Sequence, residues 1–161
     1  MSTPIKIGLV GSRFAARFHA ESYRRIGGVP VELVGVHSRS AESREGFAAA
    51  HGIRAFERFD DLVRAADVVD LCVPGALHEP FCVRACELGR HVIVEKPFTG
   101  AYGPGTPGWR GDRADKRELL DGALGSARRM VAAARAAGVR LFYAENWVYA
   151  PSVQKEAEIL R

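Results

Sequence analysis

The stretch Ile5–His19 reads Ile-Lys-Ile-Gly-Leu-Val-Gly-Ser-Arg-Phe-Ala-Ala-Arg-Phe-His. Its apolar run from Ile5 to Val10 predicts a buried strand that stops at Gly11, and a helical pattern follows almost at once. A strand, a tight turn and a helix in this order place the amino end of the helix beside a phosphate. The stretch therefore predicts a sheet built outward from this strand, with a ligand lying across its end.

The composition is typical of an ordinary soluble globular protein. The 161 residues, 47% of them apolar and 26% charged, suffice for one domain with a core but not for two full domains. No apolar run approaches the roughly 20 residues that span a bilayer, and the amino terminus lacks the apolar segment of a signal peptide. We therefore expect a cytoplasmic protein. The net charge of +4 is mild and its basic residues are scattered, which disfavours binding to nucleic acid.

The three cysteines, Cys72, Cys82 and Cys86, agree with a reducing compartment because their number is odd and their spacing is not that of a secreted scaffold. Cys82 and Cys86 would share one face of a helix and could in principle hold a metal. No second pair of metal-ligating residues accompanies them, so we predict buried, reduced thiols and no metal site.

Further strands and helices alternate along the chain. Apolar runs predict strands over residues 31–36, 54–56, 67–73, 91–94 and 139–144, with a helical pattern before or between them. This alternation predicts an α/β fold: a doubly wound parallel sheet in a three-layer αβα arrangement.

Apolar residues at helical spacing predict the buried faces of two helices. The first helix is expected to end at Gly27 and to present Ala15, Phe18, Ser22 and Ile26. The long helix that ends at Gly138 is expected to present Leu120, Leu124, Ala127, Val131 and Ala134.

Residues 98–115 interrupt this rhythm with a Gly- and Pro-rich loop. A loop of this length in a compact domain is usually functional or disordered. Two interpretations stay open: the loop overhangs a site or reaches a partner subunit, or it is a mobile surface insertion. Trp109, inside the loop, offers a fluorescent reporter that distinguishes them.

The glycine turn matches a dinucleotide-binding fingerprint incompletely. The pattern Gly-x-Gly-x-x-Gly/Ala falls on Gly11, Arg13 and Ala16, so an arginine replaces the glycine that lets the backbone approach a pyrophosphate. Arg13 could meet a phosphate, cover an adenine or block the cofactor. The alternative is a strand–helix corner of another α/β protein.

The end of the second predicted strand indicates which dinucleotide would bind. NAD-binding proteins place an acid there for the ribose 2′-hydroxyl, whereas this chain has His37-Ser38-Arg39. A hydroxyl followed by a guanidinium suits a 2′-phosphate, because arginine is always charged and forks onto phosphate oxygens. We predict NADP, with NAD as the alternative; a solvated Ser-Arg loop is the competing interpretation.

Two further motifs carry a family resemblance. Residues 73–78 contain a Pro-x-x-x-His turn after the fourth predicted strand, and Glu95-Lys96-Pro97 follows the fifth. A histidine, His19, comes soon after the glycine turn, and an aromatic residue and a proline follow Asn146. With these motifs the chain resembles the amino-terminal domain of the Gfo/Idh/MocA oxidoreductases, a family that includes glucose-fructose oxidoreductase and inositol dehydrogenase. The resemblance covers nearly the whole chain outside residues 102–115.

The resemblance implies a domain organisation and a reaction. Residues 1–150 would form an NAD(P)-binding Rossmann domain with loop 98–115 inserted, and residues 151–161 would lead to a second α/β domain that this chain lacks. Hydride would pass between nicotinamide and a sugar- or polyol-like hydroxyl or carbonyl. The usual acid/base histidine belongs to the second domain, so these residues alone should not turn over substrate. The full-length form is expected to be a homo-oligomer acting on a small molecule, without a membrane partner.

The resemblance also implies roles for single residues. Lys96 would be the catalytic residue that contacts the reacting hydroxyl, Glu95 would either hold this lysine or form a simple surface ion pair, and the peptide bond before Pro97 would be cis. His91 begins a strand and has no catalytic role. The expected cofactor-binding residues are Gly11, Ser12, Arg13, Phe14, Ala15, Ser38, Arg39, Val73, Pro74, His78, Glu95, Lys96 and Asn146.

Two other functions compete with this hypothesis. The first is a non-catalytic, dinucleotide-binding regulator of the same family, which the presence of Lys96 disfavours. The second is a methyltransferase-like domain with an adenosyl ligand. That domain would need an acid after the second strand, and residues 37–39 do not supply one.

Overall fold

The computed structural model describes residues 2–104 and 109–160. Within these ranges the strands are β1 (Ile5–Val10), β2 (Val31–His37), β3 (Arg54–Ala55), β4 (Val68–Leu71), β5 (His91–Glu95) and β6 (Leu141–Ala144). The α-helices are α1 (Phe14–Tyr23), α2 (Ala41–His51), α3 (Phe59–Ala65), α4 (His78–Glu87), α5 (Lys116–Ala136) and α6 (Pro151–Ile159). Short 3₁₀ turns cover Gly75–Leu77 and Asn146–Tyr149.

The strands form one parallel sheet in the order β3-β2-β1-β4-β5-β6. The chain builds the sheet outward from β1 in one direction and then returns to β1 to build it in the other. The point between β1 and β4 is therefore the topological switch point, outside which ligands bind in folds of this kind. The doubly wound parallel sheet predicted from the sequence is confirmed.

Helices cover both faces of the sheet, which confirms the three layers. One core cluster packs α3, α4 and α5 against the sheet around Leu62, Cys82 and Met130. The other packs α1 and α2 around Ala16 and Phe47. All four residues of β4 are buried, as expected for a strand between two neighbours and two helical layers.

The predicted buried face of α1 is wrong except at Ala15, which packs against the second core cluster. The helix ends at Tyr23 rather than near Gly27, and its fully buried residues are Ala16 and Ala20. Phe18 and Ile26, two of the expected core positions, are 61% and 46% exposed. Alanine side chains are small and let this helix pack closely against the sheet, so the buried face consists of alanines and not of the larger apolar residues.

The predicted face of α5 is correct only near its carboxyl end. Ala134 is buried together with Met130, whereas Leu120 and Leu124 are 53% and 40% exposed. The amino-terminal turns of this 21-residue helix do not face the core, which explains the exposed leucines.

All three cysteines are free and buried, as predicted. Cys82 and Cys86 lie on the buried side of α4. Among the described helices, none combines the length and the apolar character needed to cross a bilayer.

Candidate functional site

The carboxyl ends of β1 and β4 meet at Gly11. Its φ of +110° lies in a region that L side chains rarely adopt. A Cβ here would lie 2.3 Å from the carbonyl oxygen of Cys72, and the amide of Cys72 donates to the carbonyl of Val10 at 2.8 Å. The two strands therefore approach too closely for any residue but glycine.

Arg13 immediately precedes α1, where its side chain is exposed. Its φ of −102° is ordinary for any residue, so this backbone conformation does not need the missing glycine. The first turn of α1 has neither a side-chain cap nor an acidic residue. Its amide groups and positive dipole end are therefore suited to an anion. Phe14, the first helical residue, is 83% exposed, and Ala15 is half-buried.

A chain of hydroxyls joins the turn after β1 to the turn after β2. Ser12 is buried, and its Oγ donates to Ser38 Oγ at 3.0 Å while lying 2.7 Å from Ser43 Oγ. Ser38 Oγ in turn donates to the carbonyl of Ser40, the residue that caps α2. We name Ser12, Ser38 and Ser43 the hydroxyl network. It fixes the relative position of the two turns without any ionised group.

Two arginines flank the hydroxyl network. The exposed Arg39 follows Ser38 directly. The buried Arg44 donates from Nη1 to the carbonyl of Ser38 at 2.9 Å. Sequence reasoning found Ser38 and Arg39 but missed Ser43 and Arg44, which lie one helical turn further along the chain.

A second network lies on the other side of the switch point. His19 Nδ1 lies 2.7 Å from Asp70 Oδ2, and His19 Nε2 lies 3.2 Å from Glu95 Oε1. The hydroxyl of Tyr23 donates to the same Asp70 oxygen at 2.8 Å. Asp70 is completely buried in the middle of β4. We name Tyr23, Asp70, His19 and Glu95 the ionic network.

Burial and charge decide the protonation states here. The hydrogen bond to Asp70 raises the pKa of His19 above its ordinary value of 6.5, although burial acts in the opposite direction. A doubly protonated ring can donate to Asp70 and Glu95 at once. Burial beside the Asp70 carboxylate raises the pKa of both the Tyr23 hydroxyl and the Cys72 thiol, so both remain neutral donors.

His19, Asp70 and Cys72 also lie close enough together to be considered as metal ligands. The 2.7 Å separation of His19 Nδ1 and Asp70 Oδ2 is that of a hydrogen bond. Two tetrahedral zinc ligands, each bound at about 2.0 Å, would be roughly 3.3 Å apart. The raised pKa of the Cys72 thiol also disfavours the thiolate that a metal requires. The geometry fits hydrogen bonding.

Lys96 follows β5 and has its backbone fixed on both sides. Its amide donates to Glu95 Oε2 at 2.7 Å, and the carbonyl of Pro97 lies 3.1 Å from His78 Nδ1. The Lys96–Pro97 bond is cis, as the family resemblance implied. The lysine side chain is exposed, and none of the ion pairs between described side chains joins it to Glu95. Glu95 therefore holds the lysine's backbone rather than its ammonium group.

The remaining predicted residues lie around the same edge of the sheet. His78 is only 1% exposed, and its Nε2 lies 2.9 Å from the carbonyl of Val73. Its ring thus connects the chain after β4 to the chain after β5. Pro74 is exposed in the turn after β4, and Asn146 is exposed after β6. His91 begins β5, as predicted, and therefore lies at the opposite edge of the sheet.

The Gly- and Pro-rich loop is described only in part. Residues 105–108 lie outside the described ranges, so its predicted position over the site cannot be followed through them. The ring of Trp109 packs against Gly103, and Trp109 is 36% exposed.

Sequence reasoning singled out two members of the ionic network, His19 and Glu95, but missed the buried Asp70 and its partner Tyr23. Asp70 is the one acid within the apolar strand Val-Val-Asp-Leu-Cys-Val, residues 68–73. A carboxylate that is buried in a parallel sheet must find a partner. An acid within an apolar strand is a signal that the sequence contains, whereas nothing in the sequence around Tyr23 indicates that it pairs with Asp70.

A family model described as "Oxidoreductase family, NAD-binding Rossmann fold" matches residues 5–103. The UDP-N-acetylglucosamine 3-dehydrogenase of Acidithiobacillus ferrooxidans is 34% identical over 95 residues, covering 59% of this chain and 29% of that protein. The scyllo-inositol 2-dehydrogenase (NADP(+)) of Bacillus subtilis is 35% identical over 99 residues, covering 58% of this chain and 29% of that protein.

Solved structures agree with these sequence matches. The WlbA dehydrogenase of Bordetella pertussis, solved in complex with NADH and UDP-GlcNAcA, superposes with a TM-score of 0.75 at 27% identity. The superposition covers 94% of this chain and 38% of that one, so the chain spans well under half the length of these relatives. The family model matches more than half of the chain. The chain therefore belongs to the Gfo/Idh/MocA oxidoreductase family, in its NAD-binding Rossmann domain.

Proposed function

We propose that the chain is the cofactor-binding domain of an NADP(H)-dependent oxidoreductase. Its reaction would move hydride between nicotinamide and a sugar- or polyol-like hydroxyl or the corresponding carbonyl. The observation that carries the proposal is the placement of Lys96. Its backbone is fixed on both sides at the carboxyl end of β5, close to the switch point between β1 and β4.

The pyrophosphate of the cofactor would lie at the amino end of α1. The first turn of α1 supplies amide groups without a competing acid. The exposed guanidinium of Arg13 adds positive charge at the same place. Phe14 and Ala15 would complete this site, and Val73 and Pro74, which follow β4, would line its opposite wall.

The ribose 2′-phosphate would bind after β2. Ser38 and Arg39 supply a hydroxyl and a guanidinium, and no acid occupies residues 37–39 to repel the phosphate. The relatives do not agree on the cofactor, since one carries NADP(+) in its name and another was solved in complex with NADH. The preference for NADP therefore rests on this chain's own residues.

Lys96 would act on the reacting oxygen. When the alcohol is oxidised, its carbon loses hydride to nicotinamide and its oxygen loses a proton. The ammonium group of Lys96 would stabilise the negative charge that develops on that oxygen. The base that receives the proton is expected from a second domain, as is most of the substrate selectivity.

We also propose that residues 1–150 form the cofactor domain and that residues from 151 onward lead into a substrate domain. The relatives are much longer than this chain. Large apolar side chains near its end are exposed, among them Trp147 at 65%, Tyr149 at 81% and Leu160 at 86%. Exposed apolar groups of this size favour a further packing partner. A homo-oligomer of the full-length protein is proposed on the family resemblance.

Fluorescence titration of the chain with NADPH and with NADH tests the cofactor proposal. We expect NADPH to bind at least tenfold more tightly, because only NADPH carries the charge that Ser38 and Arg39 recognise. Tighter binding of NADH would overturn the assignment of these residues. Failure of both cofactors to bind at millimolar concentration would overturn the proposed function.

The substitution Lys96→Ala tests the catalytic proposal in a longer protein that contains this chain and a substrate domain. We expect kcat to fall by a factor on the order of 10³, because charge stabilisation at the reacting oxygen is lost. The dissociation constant of the cofactor should change by less than about twofold. Lys116→Ala is the control, since this lysine bonds to the carbonyls of Gly111 and Asp112. Unchanged turnover in the Lys96 variant would remove the lysine from the reaction.

A further inference from the structure

We propose that His19 is a positioning residue that fixes the backbone of Lys96 through Glu95, and that buried Asp70 holds His19 for this task. The proposal rests on the proposed function, because it assigns to His19 the orientation of the lysine that acts on substrate. It adds a residue on α1, 77 positions away along the chain, to the machinery around Lys96.

Hydrogen bonds connect the groups in one unbroken path. The Tyr23 hydroxyl donates to Asp70, the His19 ring bridges Asp70 and Glu95, and the Lys96 amide donates to Glu95. Glu95 uses a different oxygen for each neighbour, Oε1 for His19 and Oε2 for Lys96. A carboxylate held at both oxygens cannot rotate without breaking one of the two bonds. The position of Glu95 therefore sets the position of the Lys96 amide.

The protonation state of His19 decides whether this hydrogen-bonded path stays intact. A doubly protonated ring donates to both carboxylates, whereas a neutral ring has one N–H to donate. That N–H stays with Asp70, because the fully buried carboxylate loses more when it is left without a donor. The lone pair of Nε2 then faces Glu95 Oε1 at 3.2 Å, which repels the carboxylate. Deprotonation of His19 thus releases Glu95 and with it the Lys96 amide.

Four other titratable groups surround the His19 ring. Asp70 and Cys72 face the ring from β4, Glu95 faces it from β5, and Tyr23 shares Asp70 from α1 itself. Burial raises the pKa values of Tyr23 and Cys72, which keeps both neutral. His19 is the group that switches.

A pH titration by NMR tests the proposal on this chain without a substrate. The ring nitrogens of His19 and the backbone amide of Lys96 are followed in one series from about pH 5.5 to 9. We expect one shared midpoint, above the ordinary histidine value of 6.5. In Glu95→Gln the midpoint of His19 should fall by about 0.5–1 pH unit, the equivalent of one hydrogen bond, and the Lys96 amide should no longer follow it.

Two variants keep the test decisive. In His19→Gln the Lys96 amide should show no titration in this range. Should that variant fail to fold, Tyr23→Phe serves instead: removing a donor from Asp70 strengthens the hold of Asp70 on His19, so both midpoints should rise together by about 0.5 pH unit. His91→Gln is the matched control, because this histidine lies at the opposite end of the same strand, and it should leave the Lys96 amide unchanged.

The proposal is overturned if the Lys96 amide does not share the midpoint of His19, or if it still titrates in His19→Gln. Titration with NADPH separates this failure from failure of the proposed function. Cofactor binding without the shared midpoint would remove the positioning role alone. A shared midpoint without cofactor binding would leave the coupling in place and remove the function.

Discussion

The two sides of the switch point are held together by different chemistry. Between β1 and β2 the hydroxyl network joins neutral side chains at the amino end of α2. Between β4 and β5 the ionic network joins a fully buried carboxylate, a histidine and a second carboxylate. Both networks fix a turn at the same edge of the sheet, yet only the second places charges inside the protein.

The difference separates two tasks. A neutral hydroxyl bond is worth about 1 kcal/mol, so the turn that we propose for the ribose can change with little loss of stability. A buried carboxylate that loses its partner costs several kcal/mol, so the ionic network cannot be altered in one part alone. We infer that the first side is free to determine cofactor choice, whereas the second keeps Lys96 in place.

Asp70→Ala should produce the largest loss of stability. It removes the acceptor of both His19 and Tyr23 and leaves a cavity, and we expect the free energy of unfolding to fall by about 3–5 kcal/mol. Urea denaturation measures this change. Asp61→Ala is the control, because its ion pair with Arg64 is exposed and should contribute less than about 0.5 kcal/mol. Similar losses in the two variants would contradict the contrast between buried and exposed charge.

Gly11→Ala should disturb the close approach of β1 and β4 at the switch point. The new Cβ meets the Cys72 carbonyl and the residue keeps a positive φ, so we expect a loss of about 2–3 kcal/mol together with loss of cofactor binding. Gly28→Ala has a comparable φ of +82° but open space around it. It should cost about 1 kcal/mol, which isolates the steric part of the effect. Equal costs would show that the close approach of β1 and β4 is unimportant.

The ionic network should make stability depend on pH in one window. The pKa of His19 is raised, so its contribution is complete below the unfolded value of 6.5 and is lost as pH rises through the folded value. The loss cannot exceed about 1.4 kcal/mol per pH unit. Burial lowers the pKa of His51, so its contribution is lost below pH 6.5 instead.

Urea denaturation between about pH 6.5 and 8.5 isolates the contribution of His19. The decline should disappear in His19→Gln and persist in His51→Gln. Persistence of the decline without His19 would assign it to another group.

Ser12→Ala should have the smallest effect. It removes the bonds to Ser38 and Ser43 from the hydroxyl network, and we expect a loss of about 1 kcal/mol by urea denaturation. Ser126→Ala on α5 provides a half-buried serine outside this network for comparison. A loss for Ser12→Ala as large as that for Asp70→Ala would remove the distinction between the two sides.

The order of elements could be predicted from the sequence because strands and helices alternate with clear glycine and proline stops. β1 was predicted at its observed bounds. The buried face of α1 was not found. Apolar spacing favoured Phe18 as a core residue. In the structure His19 and Tyr23 are half-buried instead, because both bond to the buried Asp70. Pattern reasoning treats polar residues as exposed and therefore misses a polar cluster in the core.

The sequence indicated candidate site residues, but not the hydrogen bonds that hold them in position. The Glu-Lys-Pro motif singled out Lys96 through family resemblance, and the chemistry of phosphate binding singled out Ser38 and Arg39; both assignments stay predictions. The role of Glu95 toward the lysine's backbone could not be predicted, because it depends on which of its oxygens meets His19. That choice is made by tertiary packing between α1 and β4.

The central claim is that a dinucleotide lies across the carboxyl end of β1, at the switch point between β1 and β4. The most direct test is to add NADPH and measure the chemical-shift changes of the backbone amides by NMR. We predict shift changes concentrated at residues 11–15, 38–39 and 73–78. Changes confined to the cleft between α4 and α5, around Glu79 and Arg129, or no changes at millimolar NADPH, would contradict it.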